Sequence, residues 1–256
     1  MRARPVFTGV GVAIVTLFDD DGDLDAPATA ALATRLVEEG ARAVVVAGST
    51  GEAAALDLHE RVALLEAVRA AVPSEVPVLA GTGAPSARQA AALTVAARDH
   101  GASAALVLSP PGSADPRPYY ATVVESAGDM PVLGYHFPAA SAPGIPVALL
   151  SDLPLQGLKD SSGDADRLLA ELDAFDGDLY TGSSALLALA GPLGCTGAIL
   201  ALANVATAQC VQAFAGDAKV QRELGEIHRA AHADFPAGLK RLVAERYGTS
   251  PQTRLG

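Results

Sequence analysis

The chain has no tryptophan, two cysteines, two methionines and only 4% aromatic residues, although half of its 256 residues are hydrophobic. A core built without large rings must be assembled from Ala, Val and Leu packed between many short elements, which suits helices laid on a parallel sheet. Cys195 and Cys210 are too few for a disulfide framework and show no metal-ligand spacing. Each lies in an apolar stretch where a reduced thiol behaves as a small core residue, so a reducing, cytoplasmic setting is expected. No uninterrupted apolar segment is long enough to span a bilayer. The start, Met1-Arg2-Ala3-Arg4-Pro5, lacks the apolar run of a signal peptide, so the chain is expected to be soluble and unprocessed. Positive charge is scarce too, with 18 Lys and Arg against 29 Asp and Glu. A net charge of -11 repels nucleic acid and anionic membrane alike, and neither is expected as a partner.

Lysine is the scarcest cation: Lys159, Lys219 and Lys240 stand against fifteen arginines. A solvated position has no chemical need for an amine over a guanidinium, so a chain that otherwise writes arginine is expected to keep lysine for chemistry. Lys159 ends the run Leu155-Gln156-Gly157-Leu158-Lys159, just before the polar turn Asp160-Ser161-Ser162-Gly163. An amine held among apolar neighbours at a strand's carboxyl end loses hydration of its charged form and can attack a carbonyl carbon as a Schiff-base nucleophile. A lysine snorkelling at a strand end would leave the same trace.

Short aliphatic runs alternate with longer segments of helical spacing. Strands are predicted over 10–17, 43–47, 76–80, 104–108, 131–135, 155–159, 178–181 and 197–200, and helices over 26–39, 58–72, 86–100 and 164–175. Gly40 and Gly101 are placed like C-terminal caps. Eight βα units with no glycine-rich dinucleotide turn after the first predict an α/β chain folded as a (β/α)8 TIM barrel rather than an open sheet. The length agrees, since such barrels run to roughly 250 residues. Helical segments at 203–214, 220–233 and 235–247 exceed what one barrel unit needs, so residues 1–206 are read as the barrel and 207–256 as a C-terminal helical extension or oligomer surface. Pro-rich stretches at 109–118 and 142–146 fall after strands four and five, on the side where a barrel keeps its functional loops.

Barrel geometry brings the carboxyl ends of the strands to one mouth. After strand two, the hydroxyls and backbone N–H groups of Gly48-Ser49-Thr50-Gly51-Glu52 could hold a carboxylate, and the run reads equally as a helix N-cap with Glu52 in the first turn. Tyr135 of Tyr135-His136-Phe137-Pro138 places a phenol near Lys159, as a proton shuttle or as a rim tyrosine, whereas His136 alternates toward the helices. Asp19-Asp20-Asp21-Gly22-Asp23 lacks the closing Glu of a calcium loop and is read as a solvated turn. His228 and His232 have ligand spacing without a third ligand, so they are read as a surface helix pair and no metal is expected. Gly81-Thr82-Gly83 is read as a tight turn that lets backbone approach the mouth.

Gly48-Ser49-Thr50-Gly51-Glu52, Tyr135-x-x-Pro138 and Gly157-Leu158-Lys159-Asp160 together resemble the dihydrodipicolinate synthase and N-acetylneuraminate lyase family of pyruvate-handling class I aldolases. Gly182-Ser183, Gly197-Ala198-Ile199 and Ala203-Asn204-Val205 extend the resemblance from Thr8 to about Tyr247. It implies that Lys159 forms an imine with a 2-oxo acid, that Tyr135 relays protons with the Thr50 hydroxyl orienting it, and that Ser49, Thr50 and Gly48 hold the carboxylate. Gly182, Ser183, Ser161 and Ile199 are the further substrate-binding positions it implies. The protonated imine is the electron sink, so no cofactor is implied. Partners would be a small 2-oxo acid and an aldehyde, and the assembly a homo-oligomer, tetramer or dimer. The chain also stops earlier than many relatives, which suggests a trimmed appendage.

Synthases that use aspartate semialdehyde show a Tyr pair after strand four and an Arg two residues beyond the strand-five Pro. Here those places hold Ser109-Pro110-Pro111-Gly112 and Ala140, with Tyr119 and Tyr120 expected in the next helix. The loss of a bidentate carboxylate partner speaks against the synthase reaction, and Asp160-Ser161-Ser162-Gly163-Asp164, Ala201-Leu202-Ala203-Asn204-Val205 and Gly238-Leu239-Lys240 resemble more the 4-hydroxy-2-oxoglutarate or 2-keto-3-deoxy acid aldolase branches. The alternatives are the 4-hydroxy-tetrahydrodipicolinate synthase reaction and a non-catalytic barrel that binds 2-oxo acids.

Overall fold

The computed structural model describes residues 4–255; residues 1–3 of the charged N-terminus and residue 256 lie outside the described residues. Eight parallel strands pair in chain order and the last closes on the first. They are β1 (Gly9–Ala13), β2 (Val44–Val46), β3 (Val78–Gly81), β4 (Ala104–Leu108), β5 (Val132–His136), β6 (Gly157–Asp160), β7 (Asp178–Thr181) and β8 (Gly197–Leu200). Around them lie α1 (Ala26–Glu38), α2 (Leu58–Ala71), α3 (Ala87–Asp99), α4 (Arg117–Ala127), α5 (Ala165–Ala174), the single turn α6 (Leu187–Ala190) and α7 (Ala203–Phe214). Two further helices, α8 (Ala218–His232) and α9 (Ala237–Tyr247), follow. The chain is the (β/α)8 TIM barrel that the alternation predicts.

The helices start where side chains can satisfy their free N–H groups. Asp25, Ser86, Asp164 and Asp217 cap α1, α3, α5 and α8, and Asp57 with Glu60 forms a capping box on α2. Gly40 and Gly101 end α1 and α3 with positive φ, the left-handed conformation that glycine adopts without a Cβ clash. Among the described residues no helix is long and apolar enough to cross a membrane.

Strand β1 ends at Ala13, four residues before the predicted limit, because a side chain takes over its ladder. The buried Asn204 amide accepts from Val15 N–H at 3.0 Å and donates to the Ala13 carbonyl at 2.7 Å, tying the end of β1 to α7. Strands β5 and β6 each run one residue further than predicted, so Lys159 is followed by a paired Asp160. Inside the barrel pack Val45, Leu79, Leu106, Leu133, Tyr180 and Ile199. Phe7 stacks on Tyr180 at 4.7 Å and its carbonyl accepts from the Tyr180 hydroxyl at 2.9 Å, closing the amino-terminal end. With that end plugged, side chains at the opposite mouth face an open cavity.

Candidate active site

Lys159 and Tyr135 are register partners on β6 and β5, so their side chains leave the sheet on the same face, into the barrel mouth. The Lys159 ammonium lies 4.2 Å from the centroid of the Tyr135 ring, and both residues are 5% exposed. Among the described residues, no carboxylate stands within ion-pair distance of it. The other lysines sort differently. Lys219 is on the surface, its side chain 86% exposed. Lys240 is 0% exposed, more deeply buried than Lys159, but its nitrogen pairs with Glu52 at 2.5 Å and donates to the Gln252 carbonyl at 2.7 Å. Burial lowers the pKa of Lys240 and the Glu52 carboxylate opposes the shift. Lys240 is therefore a satisfied structural cation, and Lys159 is the buried amine left free to react.

Glu52 shows what the strand-two motif does locally. It is not the first turn of an α-helix: it has φ 54° and leads into a 3-10 turn at Ala53–Ala55. Its carboxylate accepts from the N–H groups of Arg254 and Leu255, each at 2.7 Å, besides pairing Lys240. The site loop is thereby anchored to α9 and the C-terminal segment. Replacing Glu52 by alanine leaves the Lys240 charge buried without its partner. We expect a loss of about 3–5 kcal/mol in urea unfolding; a loss of under about 1 kcal/mol, the scale of an exposed pair, would show the contact to be dispensable.

Ala47, with φ 51°, turns the chain out of β2 so that Ser49 and Thr50 face the mouth. Such left-handed non-glycine residues are strained and cluster at functional sites. The loop is held by its carbonyls: Gly48 O accepts from Gly51 and Ala53, and Gly51 O accepts from the Thr16 hydroxyl at 2.7 Å. The N–H groups of Ser49 and Thr50 have no acceptor among the described residues. Two free donors beside two hydroxyls are groups that can receive an oxyanion.

A cavity of about 470 Å³ opens at this mouth and is lined by Ser49, Thr50, Tyr135, Lys159, Ser161, Gly182 and Ser183. Gly182 is there for space: a Cβ would stand 2.9 Å from Lys159 Cε and collide with the Ser161 hydroxyl. Of the remaining sequence-derived positions, Gly48 lies beneath the loop with its carbonyl committed, and Ile199 is fully buried in the barrel interior; neither is on the cavity wall. Thr50 and Tyr135 share the wall, and no hydrogen bond joins their hydroxyls among the described residues. Sequence reasoning missed Phe137, Ser162, Ser184, His228, His232 and Phe235, all of which reach the wall. Their positions depend on loops and on α8, which no local pattern ties to the mouth. His232 is exposed as a surface pair requires, but His228 is half-buried and lies 2.7 Å from the Ser184 hydroxyl.

Behind Lys159, Asp160 alternates to the outer face. Its carboxylate accepts from Ser162 N–H at 2.6 Å and from the Ser162 hydroxyl at 2.9 Å, shaping the loop that lines the cavity. His136 also points outward, accepting from Ile145 N–H at 2.9 Å through Nδ1, which requires an unprotonated nitrogen. Burial and the Arg167 charge lower its pKa to about 4. Arg167 reaches both Asp160, at 3.4 Å, and the fully buried Glu171, at 2.8 Å. One guanidinium faces two carboxylates, and burial followed by the Asp160 charge raises Glu171 to about 8. A carboxyl whose native pKa lies above its ordinary value binds more protons folded than unfolded. Its contribution is complete below about pH 4.5 and is lost as pH rises through about 8. Between pH 6 and 9 the parent should lose on the order of 2 kcal/mol that a Glu171→Gln protein keeps. Equal losses in both, by urea unfolding at the two pH values, would refute this.

The strand-four loop carries no phenol to the mouth. Tyr119 and Tyr120 lie in α4, and their hydroxyls donate to the carbonyls of Ala84 at 2.9 Å and Val107 at 3.0 Å. Ala140 lies beside Ser109 and Pro111, with no guanidinium in that pocket.

Residues 6–241 match the Dihydrodipicolinate synthetase family. The chain is 34% identical over 243 residues to a 4-hydroxy-tetrahydrodipicolinate synthase of Pseudomonas aeruginosa, covering 88% of this chain and 83% of that protein. It is 35% identical over 243 residues to an uncharacterized DapA-like lyase of Halobacterium salinarum, covering 91% and 79%. Among solved structures it resembles the chloride-inhibited dihydrodipicolinate synthase from Acinetobacter baumannii complexed with pyruvate, with TM-score 0.89, 28% identity and coverage of 98% and 94%. A free buried amine beside a phenol in a barrel mouth, and similarity along nearly the whole chain, lead to one assignment: the protein belongs to the dihydrodipicolinate synthetase family and is an enzyme of its class I aldolase and lyase type.

Proposed function

We propose that the chain is a reversible aldolase that cleaves a 4-hydroxy-2-oxo acid of the 2-keto-3-deoxy acid type, through an imine on Lys159, to pyruvate or a related 2-oxo acid and an aldehyde. The observation that carries this reading is the Lys159 amine, buried with no carboxylate in ion-pair reach among the described residues, 4.2 Å from the Tyr135 ring and in one cavity with Ser49 and Thr50. The free N–H groups and hydroxyls of Ser49 and Thr50 hold the substrate carboxylate. The Lys159 nitrogen attacks C2; Tyr135 supplies the proton with which the ketone oxygen leaves as water. Tyr135, now a phenolate, takes the proton of the 4-hydroxyl. The C3–C4 bond breaks, its electron pair moves onto the imine as an enamine, and C4 becomes the aldehyde carbonyl. Protonation at C3 and hydrolysis by one water return the 2-oxo acid and free Lys159. The iminium is the electron sink, so these steps call for no metal or organic cofactor. We take the working form to be a cytoplasmic homo-oligomer, dimer or tetramer.

Similarity to the Pseudomonas aeruginosa synthase favours a second reading, condensation of pyruvate with aspartate semialdehyde. Among the described residues no arginine lines the cavity wall to pair with that aldehyde's carboxylate. Treatment with pyruvate and borohydride followed by peptide mapping tests the shared first step, and a panel of 2-oxo acids and aldehydes separates the two. We expect a reduced adduct on Lys159 and turnover of 4-hydroxy-2-oxo acids. An adduct on Lys219 or Lys240 would overturn the assignment, exclusive use of aspartate semialdehyde would establish the synthase, and an adduct with no product would leave a 2-oxo acid binder.

A further inference from the structure

The far side of the cavity is built by α8, a helix outside the eight βα units. Two contacts from α8 pin it across the loop after β7. Gln221 donates from Nε2 to the Ser184 carbonyl at 2.9 Å and accepts from Ala188 N–H at 3.0 Å. One helical turn pair further on, His228 Nδ1 lies 2.7 Å from the Ser184 hydroxyl. His228, His232 and Phe235 form a stacked wall, with ring centroids 4.2 and 5.8 Å apart, on the same cavity as Lys159 and Tyr135. His232 Nδ1 lies 2.9 Å from the His228 carbonyl, which can only accept, so that nitrogen carries the proton.

Apart from Lys159, no Arg, Lys, Asp or Glu among the described residues lines this cavity; the polar side chains there carry hydroxyls and imidazoles. A phosphate or a second carboxylate on the aldehyde would be desolvated here without a counter-charge. A hydroxyl would find both donors and acceptors. We infer that His228, positioned by Ser184, is the specificity residue that binds the distal hydroxyl of an uncharged, hydroxyl-bearing aldehyde. Burial, the neighbouring His232 and Arg229 lower the His228 pKa, and with Nδ1 committed to the Ser184 hydroxyl the neutral imidazole presents Nε2 alone to such a hydroxyl, which can itself donate or accept. The α8 helix is thereby part of the substrate site rather than only an appendage.

This inference rests on the imine reading, and its test separates the two. Condensation of pyruvate with D-glyceraldehyde is measured against glyceraldehyde 3-phosphate and succinic semialdehyde, alongside borohydride trapping with pyruvate alone. The parent should prefer glyceraldehyde. His228→Ala should raise the KM for glyceraldehyde about 10-fold, the scale of one lost hydrogen bond to a bound hydroxyl. The pyruvate KM and the trapped adduct should stay unchanged, and His228→Gln, whose longer side chain places an amide near the position of Nε2, should recover part of the loss. An unaltered glyceraldehyde KM in His228→Ala, a parent that accepts only the charged aldehydes, or an adduct-forming parent that turns over no glyceraldehyde overturns the inference. So does loss of the adduct in His228→Ala and His228→Gln alike, which would make the residue structural. Absence of the adduct in the parent removes the imine reading, and this inference with it.

Discussion

A Lys159→Ala protein treated with pyruvate and borohydride is expected to carry no reduced adduct, and its aldol turnover should fall by at least about 10⁴-fold. The size of the effect follows from the absence of a substitute. Lys219 is on the exposed surface of α8, and Lys240 is held by Glu52 and a backbone carbonyl against the ring of Phe18, at 4.2 Å from its centroid. Neither can reach the mouth without dismantling the fold. Lys159→Arg is the stricter variant, because it keeps the positive charge above Tyr135 while removing the ability to form an imine. If either variant retained an adduct at another lysine together with parental turnover, Lys159 would not be the nucleophile. Circular dichroism of both proteins checks that the loss is chemical and not a failure to fold.

The second large effect is expected at Tyr135. Tyr135→Phe keeps the ring that stacks on Phe137 at 5.8 Å and the contact beneath the Lys159 ammonium, so packing is preserved and only the hydroxyl is lost. Proton transfer in imine formation and in bond cleavage then lacks its carrier, and kcat should fall by about 10²–10⁴-fold. Pyruvate affinity should change little if, as proposed, Ser49 and Thr50 hold the carboxylate. Single-turnover trapping with borohydride gives a second readout, since the adduct should still form but more slowly. An unchanged kcat would transfer the proton relay to another group, such as the Thr50 hydroxyl on the same cavity wall. A raised KM with unchanged kcat would make the tyrosine a binding residue instead.

Much of the architecture was legible because it is written in neighbouring residues. Aliphatic runs of four or five residues, capped helices with Asp25, Ser86 and Asp164 at their starts, and Gly40 and Gly101 at their ends each state a local conformation that needs no distant partner. The scarcity of lysine singled out Lys159, and the alternation along β5 sent His136 away from Tyr135, as found. Where local reading fell short, a long-range contact had intervened. Strand β1 stops early because Asn204, some 190 residues away, takes over its hydrogen bonds. Glu52 reads as a helix-start acid and is instead the partner of Lys240.

The sequence by itself determined the order and kind of the elements, since period and capping are properties of adjacent residues, and it put forward one amine as the candidate for chemistry. Only closure of the barrel decided which side chains meet: β5 beside β6 places Tyr135 against Lys159, and α8 laid over the loop after β7 joins His228 to Ser184 across 44 residues of chain. Those meetings come from packing whole elements against one another, and no stretch of sequence short enough to have its own periodicity contains both partners.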